Sequence, residues 1–185
     1  MDEKYKITGV NLKIELIIGL SIVPFFLIFS ILTIFLYNNI TDVEFRNIPF
    51  YIVVGGMLLG ISLGLLFAKV LGKKMNGIWR IEVKQEYLLI SFKKEKWTIK
   101  LDNILKFKIY GNPNFKYVSI FTNNEVVRMR IGNNGLAPFS NTEDLKKLDV
   151  FIKKILPFFD GNYLKKDGTV KLSPVGTVKL TYLKK

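Results

Sequence analysis

The sequence predicts an α-helical membrane hairpin followed by a small, mainly-β domain: an antiparallel barrel or sandwich of about six strands, closed by one C-terminal amphipathic helix. Three observations carry this reading. Two long apolar runs without charge lie within the first 70 of 185 residues. From Gly77 the pattern becomes an alternation with a period near two, and over residues 142–159 it changes again to a period near 3.6.

Residues 16–37 are 22 uncharged positions, 16 of them Leu, Ile, Val or Phe. At ~1.5 Å rise per residue the run reaches roughly 33 Å, enough for a hydrocarbon core of ~30 Å. On an insertion scale its large apolar side chains favour the bilayer by roughly 5–10 kcal/mol. Pro24 offsets part of that and is expected to kink the helix. The run exceeds the ~7–15-residue apolar region of a signal peptide, and no small-x-small cleavage site follows it, so a retained helix is predicted.

The second run covers residues 48–68, with Pro49 where a first-turn proline is tolerated. Gly56, Gly60 and Gly64 recur every four residues and so share one helix face. Small residues let helix backbones approach closely inside lipid. Two readings follow: the face packs on the first helix of the same hairpin, or it joins two copies of the chain as a homo-oligomer.

Residues 38–47 connect the two helices and make them antiparallel neighbours. Lys4, Lys6 and Lys13 precede the first helix, only Arg46 lies in the connection, and Lys69, Lys73, Lys74 and Arg80 follow the second. The positive-inside rule then places both termini in the cytoplasm, in a two-helix protein of the cell membrane. The chain divides into a cytoplasmic N-terminal segment (1–11), the transmembrane hairpin (12–72), the β domain with its helix (77–163) and a basic tail or hairpin (164–185).

In the β domain, Trp79, Ile81 and Val83 alternate with Ile78, Arg80, Glu82 and Lys84. Further short segments follow at 87–92, 97–101, 104–110, 116–122 and 125–131, with polar turns between them. The helical stripe is Leu145, Leu148, Ile152, Ile155, Leu156 and Phe159, opposite Lys146, Lys147, Lys153 and Lys154. Ser140-Asn-Thr-Glu143 has the form of a capping box, and Pro157 and Gly161 end the helix. The stripe is expected to close the barrel, with a helix lying in the membrane interface as the competing reading.

Two membrane helices, a strand meander and one C-terminal amphipathic helix, together with Lys96-Trp-Thr-Ile-Lys-Leu-Asp102-Asn-Ile104 at a strand-to-strand step, resemble the bacterial membrane-anchored PH-like domain proteins. The resemblance covers about residues 12–160. It implies a PH-like barrel plugged at one end by the helix, in a family with varied roles that include accessory parts of bacteriocin immunity and transport systems. One departure matters. Phosphoinositide-binding PH domains carry a basic cluster in the first strand-to-strand loop, and here that loop reads Gln85-Glu86, which does not support an inositol-phosphate pocket. The basic loop is the next one, Lys93, Lys94, Glu95 and Lys96.

Residues 164–185 contain a repeat, in which Gly168-Thr-Val-Lys-Leu172 recurs as Gly176-Thr-Val-Lys-Leu180. It reads either as a hairpin turning at Ser173-Pro174-Val175 or as a mobile basic tail. Two strands alone are marginal in water, so a hairpin needs the barrel edge, a partner or a membrane.

The chain carries 28 Lys/Arg against 15 Asp/Glu, a net +13, and residues 77–185 hold +11 of it. A domain tethered beneath a bilayer meets anionic phospholipid headgroups first, at about 1 kcal/mol per engaged cation. Lys73, Lys74, Lys93, Lys94 and Lys96 are the candidate lipid contacts. Nucleic acid fits the charge less well. The chain has only four arginines, and Trp79, Tyr87, Phe92, Trp97, Phe107 and Phe121 are expected in the core or at the interface rather than on a stacking platform.

With no cysteine and no histidine, the chain has no disulfides, thiolate nucleophiles, imidazole bases or Cys/His zinc sites. Asp102 reads as a turn aspartate capping its own backbone. Asp42 and Glu44 lack a third metal ligand. Gly132-Asn-Asn-Gly135 lacks the Lys-Ser/Thr of a phosphate-binding loop. Neither apolar run contains an ionisable residue of the kind transporters use. No catalytic residue, cofactor or metal is expected. The sequence therefore points to a non-enzymatic membrane protein whose basic domain binds a protein or peptide partner with the help of anionic lipid, in a specific version as self-protection against a membrane-active peptide or toxin. The alternative is a structural subunit of a larger membrane complex, docked through the glycine face.

Overall fold

The structure, a computed structural model, describes residues 3–41, 44, 47–132, 140–169 and 177–185. The chain forms two compact units, one of Lys13–Lys74 and one of Met1–Leu12 with Met75–Lys185.

The helical unit contains most of α1 (Leu12–Leu20), α2 (Ile22–Thr41) and most of α3 (Phe50–Met75). The first apolar run is interrupted at Ser21, which has the expected cause. Pro24 has no N–H to offer the Leu20 carbonyl four residues back, and its ring crowds that carbonyl. Ser21, Ser30, Thr33 and Ser62 turn their hydroxyls onto carbonyls three or four residues earlier, at 2.6–2.8 Å, so these four hydroxyls are satisfied locally. Leu16, Ile31, Phe35, Leu58 and Leu66 are each more than half exposed. The two spans, Leu12–Thr41 and Phe50–Met75, are long and apolar enough to cross a membrane. Only 11% and 17% of their most apolar windows are buried, which distinguishes them from core helices of a soluble protein.

The other unit is built on a nine-stranded antiparallel sheet. The six strands expected after the hairpin are present as β2 (Gly77–Val83), β3 (Tyr87–Phe92), β4 (Glu95–Lys100), β5 (Lys106–Asn112), β6 (Phe115–Phe121) and β7 (Val126–Gly132). Three more extend the sheet beyond the expected six: β1 (Glu3–Asn11), upstream of the hairpin, and β8 (Tyr163–Thr169) with β9 (Val178–Lys184) from the C-terminal segment. The order is β4-β3-β2-β1-β7-β6-β5-β9-β8. The C-terminal segment is thus a strand pair, carried on the sheet by β9 against β5. The expected turn at residues 173–175 lies outside the described residues.

β1 is the strand on which the sheet turns. Glu3 to Gly9 pair with β2, and then Val10 and Asn11 pair with β7. At the change of partner stands Gly9, where a Cβ would lie 2.5 Å from the Arg130 carbonyl oxygen and from Ile131 Cδ1. Only a residue without a side chain lets β7 approach there.

α4 (Thr142–Ile155) packs on β1 and β7, followed by a 3-10 turn over Leu156–Phe159. Leu145, Leu148, Ile152, Ile155 and Phe159 of the expected stripe are buried, and Phe151, which the sequence reading leaves out, is fully so. The stripe is therefore spent on the β unit's own core. Trp79, Phe92, Phe107 and Ile7 complete that core from the strands. Each large side chain so buried contributes about 1.5–3 kcal/mol.

The capping box sits one residue later than the sequence reading places it. Asn141 is the N-cap, accepting from the Asp144 N–H at 2.8 Å, while Asp144 accepts from the Asn141 N–H at 3.3 Å. Ser140 is not free for the role, because its hydroxyl accepts from the Gly132 N–H. The other oxygen of the buried Asp144 takes the Thr8 N–H of β1 at 3.0 Å. One carboxylate thus caps α4 and ties it to β1.

A second clasp joins the same elements. Lys154 lies 3.0 Å from Glu3, the Tyr5 hydroxyl donates to Glu3, and the Tyr5 ring meets Phe151 edge-on at 5.8 Å. The Tyr5 hydrogen bond, and then Lys154, hold the Glu3 carboxyl below the usual carboxylate range. Burial, and then Glu3, push the Tyr5 phenol up to about 12.

Two outcomes are expected. Asp144→Ala removes an N-cap partner and strands the Thr8 N–H, costing about 2–3 kcal/mol in denaturant unfolding and speeding exchange of the Thr8 amide. A carboxylate whose folded pKa is lowered stabilises above its unfolded value and loses that contribution as the pH falls. The protection of the β1 amides, taken relative to their intrinsic exchange rates at each pH, should therefore fall as the pH drops below ~4.3, and Glu3→Gln should flatten that acid dependence.

Candidate membrane interface

The two places where the β unit joins the helical segments are adjacent. Gly9 of β1 pairs with Gly77 of β2, so the whole apolar hairpin is the connection between two neighbouring antiparallel strands. The β3–β4 turn is fastened to both joints. Lys93 Nζ donates to the Met75 carbonyl at 2.7 Å, at the end of α3. Asn11 Nδ2, at the end of β1, donates to Glu95 Oε2 at 3.3 Å. Lys93 adopts φ 52, a left-handed conformation that a side-chain-bearing residue rarely takes, and its ammonium lies 5.8 Å from the Phe92 ring centroid.

Of the predicted lipid contacts, Lys93 and Lys94 form the β3–β4 turn and Lys96 follows in β4, all three exposed. Lys73 and Lys74 are exposed in the last turn of α3, where cations also complement the helix dipole. Lys96 belongs in addition to a group that the strand list alone does not reveal. Lys6 pairs with Arg80, Arg80 with Ser91, and Ser91 with Lys96, giving one row across β1, β2, β3 and β4. Lys6, Arg80 and Lys96 have no carboxylate partner among the described residues, whereas Lys4 and Lys84 lie 3.7 and 3.8 Å from Glu82. These residues line an open groove of about 440 Å³, with Thr98 and Leu89 in the next row. Lys6 and Arg80 are like charges directly opposite in the sheet, an arrangement that is repulsive, and Glu82 lines the same groove.

The glycine face has its partner within the chain. Gly56, Gly60 and Gly64 are buried, as are Ala68 and Gly72 at the same spacing. A Cβ on Gly60 would lie 2.7 Å from the Phe25 carbonyl oxygen, one on Gly56 2.3 Å from Thr33 Oγ1, and one on Gly64 2.9 Å from Ile22 Cγ2. Atoms of α2 therefore lie against this face. Phe25 and Phe67 meet nearby with ring centroids 5.1 Å apart.

Asp102 sits in the 3-10 turn Leu101–Asn103, and its carbonyl accepts from Lys184. Asp42 and residues 133–135 lie outside the described residues. Among the described residues no group of three or more Asp or Glu is placed to hold a metal ion. Trp79 stacks on Phe92 at 4.3 Å and on Trp97 at 5.9 Å, and Phe107 on Phe159 at 4.9 Å; Tyr87, Trp97 and Phe121 are half-buried.

No protein-family model, curated protein or solved structure matches this chain.

Gly60→Leu should force α2 and α3 apart, an overpacking cost of about 1–3 kcal/mol. Because the chain has no cysteine, a Phe25→Cys/Phe67→Cys pair reports the contact directly. A short bis-maleimide should link the pair within one chain, and adding Gly60→Leu should lower the yield severalfold.

Proposed function

We propose that the chain is a non-enzymatic protein of the cell membrane, in which an apolar hairpin anchors a basic PH-like module that binds a protein or peptide partner with the help of anionic lipid. The observation that carries the reading is the pairing of β1 with β2 across the hairpin. Two strands bonded over seven residue pairs lie on one side of a bilayer, which requires an even number of crossings between them, and two apolar helices supply it. The lysine distribution assigns that side to the cytoplasm, with both termini there.

A PH-like assignment is supported by seven successive antiparallel strands, β1 to β7, followed by one amphipathic helix packed on β1 and β7. Counted from β1, the first strand-to-strand connection is the hairpin, Gln85-Glu86 is the second, and the basic Lys93–Lys96 turn is the third. Gln85-Glu86 therefore does not correspond to the first loop of a phosphoinositide-binding PH domain. Partner binding is supported by β4 and β8, the two ends of the sheet order, where an extended segment can add by strand pairing. Occupation of the glycine face by α2 favours this reading over a subunit docked through that face. Self-protection against a membrane-active peptide is its specific form.

Proteolysis tests the orientation. Trypsin added to intact cells should leave residues 77–185 uncut, and in inside-out vesicles it should digest them; the reverse pattern rejects the reading. Affinity isolation in mild detergent tests the role. A soluble or secreted peptide is the expected companion, while a stoichiometric integral-membrane partner identifies a complex subunit instead.

A further inference from the structure

The sheet bears a second basic surface, formed by β7, β6, β5, β9 and β8 on the face opposite Phe107, Ile109, Val118 and Met129. One cross-strand row on it reads Lys166, Thr181, Lys108, Ser119, Arg128. Cations and hydroxyls alternate, so each hydroxyl lies between two cations held on either side roughly 10 Å apart, two strand spacings. Lys106, Lys179 and Arg130 flank the row on the same face, which has no carboxylate among its strand residues.

Two features mark the row among the described residues. Ser119 and Thr181 are 5% and 9% exposed, and neither hydroxyl has a hydrogen-bond partner among the described residues. Burial, and then the charges of Lys179, Lys106 and Arg128, hold the Lys108 ammonium below the usual lysine range.

We propose that this face docks on the anionic leaflet, each of the two cation–hydroxyl–cation triplets receiving one lipid phosphate. The inference rests on the membrane reading above and deepens it by naming a face. Charge complementarity requires an anion, and a chain anchored by its own helices keeps a leaflet at high effective concentration. The β7 end of the face reaches the junction, because Arg130 pairs with Val10, two residues before α1 begins. The adjoining row reads Leu164, Leu183, Lys106, Phe121, Val126, apolar except for Lys106 and with Leu164 and Val126 about half exposed, suited to the headgroup boundary. A nucleic-acid platform fits less well: Tyr110 and Tyr117 lie against each other at 5.9 Å, and Arg130 covers Tyr117 at 5.5 Å, so the rings are not free to stack bases.

The test uses the full chain in nanodiscs of phosphatidylcholine alone, or of phosphatidylcholine and phosphatidylglycerol in equal parts. Acetylation of Lys108 and Lys166 is followed by mass spectrometry, with Lys147, paired to Glu143, as internal reference. Phosphatidylglycerol should slow both lysines about fivefold, and Arg128→Glu/Lys166→Glu should abolish the protection at Lys108 while the chain still enters nanodiscs. Equal rates in the two lipids overturn the inference and leave the membrane reading standing. Failure to enter nanodiscs at all overturns that reading and the inference with it. Protection in phosphatidylcholine by a free single-stranded oligonucleotide, polyglutamate or inorganic phosphate, without protection by phosphatidylglycerol, also overturns it. So does protection that is lost with Lys94→Glu/Lys96→Glu and kept with the sheet variant.

Discussion

Seven consecutive residue pairs between β1 and β2 hold together two pieces of chain separated by the whole apolar hairpin. Sheet order, the position of α4 and the location of the basic groups all follow from that pairing. It gives β1 neighbours on both edges, β2 along most of its length and β7 at its end, so a strand near the N-terminus becomes central in a nine-stranded sheet. Closing so long a connection is entropically affordable because its cost grows only with the logarithm of length. The hairpin is moreover two helices whose ends return close together, which is what antiparallel neighbours require.

α4 reinforces the same strand. Asp144 grips the Thr8 N–H, and Lys154 and Phe151 engage Glu3 and Tyr5. The helix therefore locks β1 rather than merely covering an open end. The Lys93–Met75 and Asn11–Glu95 hydrogen bonds fasten the β3–β4 turn to the two points where the chain passes between strand and helix. Charge follows this geometry: the Lys6–Arg80–Ser91–Lys96 row and the Lys166-to-Arg128 row both occupy sheet faces that the core does not use.

Much of this was legible residue by residue. The strands β2 to β7 were readable as short runs between polar turns, with the alternation clearest in β2, β5 and β7. The stripe on α4 was readable because Leu145, Leu148, Ile152, Ile155 and Phe159 keep one helical face. β1 is harder to read, because Lys4 and Lys6 serve equally well as topology signals, although their alternation with Tyr5 and Ile7 is itself a strand pattern of period two. The capping box slipped by one residue because Ser140 and Asn141 are both good caps, and only the claim of Gly132 on the Ser140 hydroxyl separates them. The cation rows were not legible at all. Lys6, Arg80 and Lys96 are far apart in the chain, and the register that aligns them is a long-range property.

The sequence by itself determined the two apolar spans, the strand-rich nature of the remainder and the excess of cations, since length, hydropathy and periodicity are local quantities summed along the chain. Only the tertiary structure decided that residues 3–11 belong to the same sheet as residues 77–132, that the C-terminal repeat extends it, and that α2 fills the glycine face. Those outcomes depend on which distant backbone groups find each other as hydrogen-bond partners and on which close approaches Gly9 and Gly60 permit, and a one-dimensional pattern encodes neither.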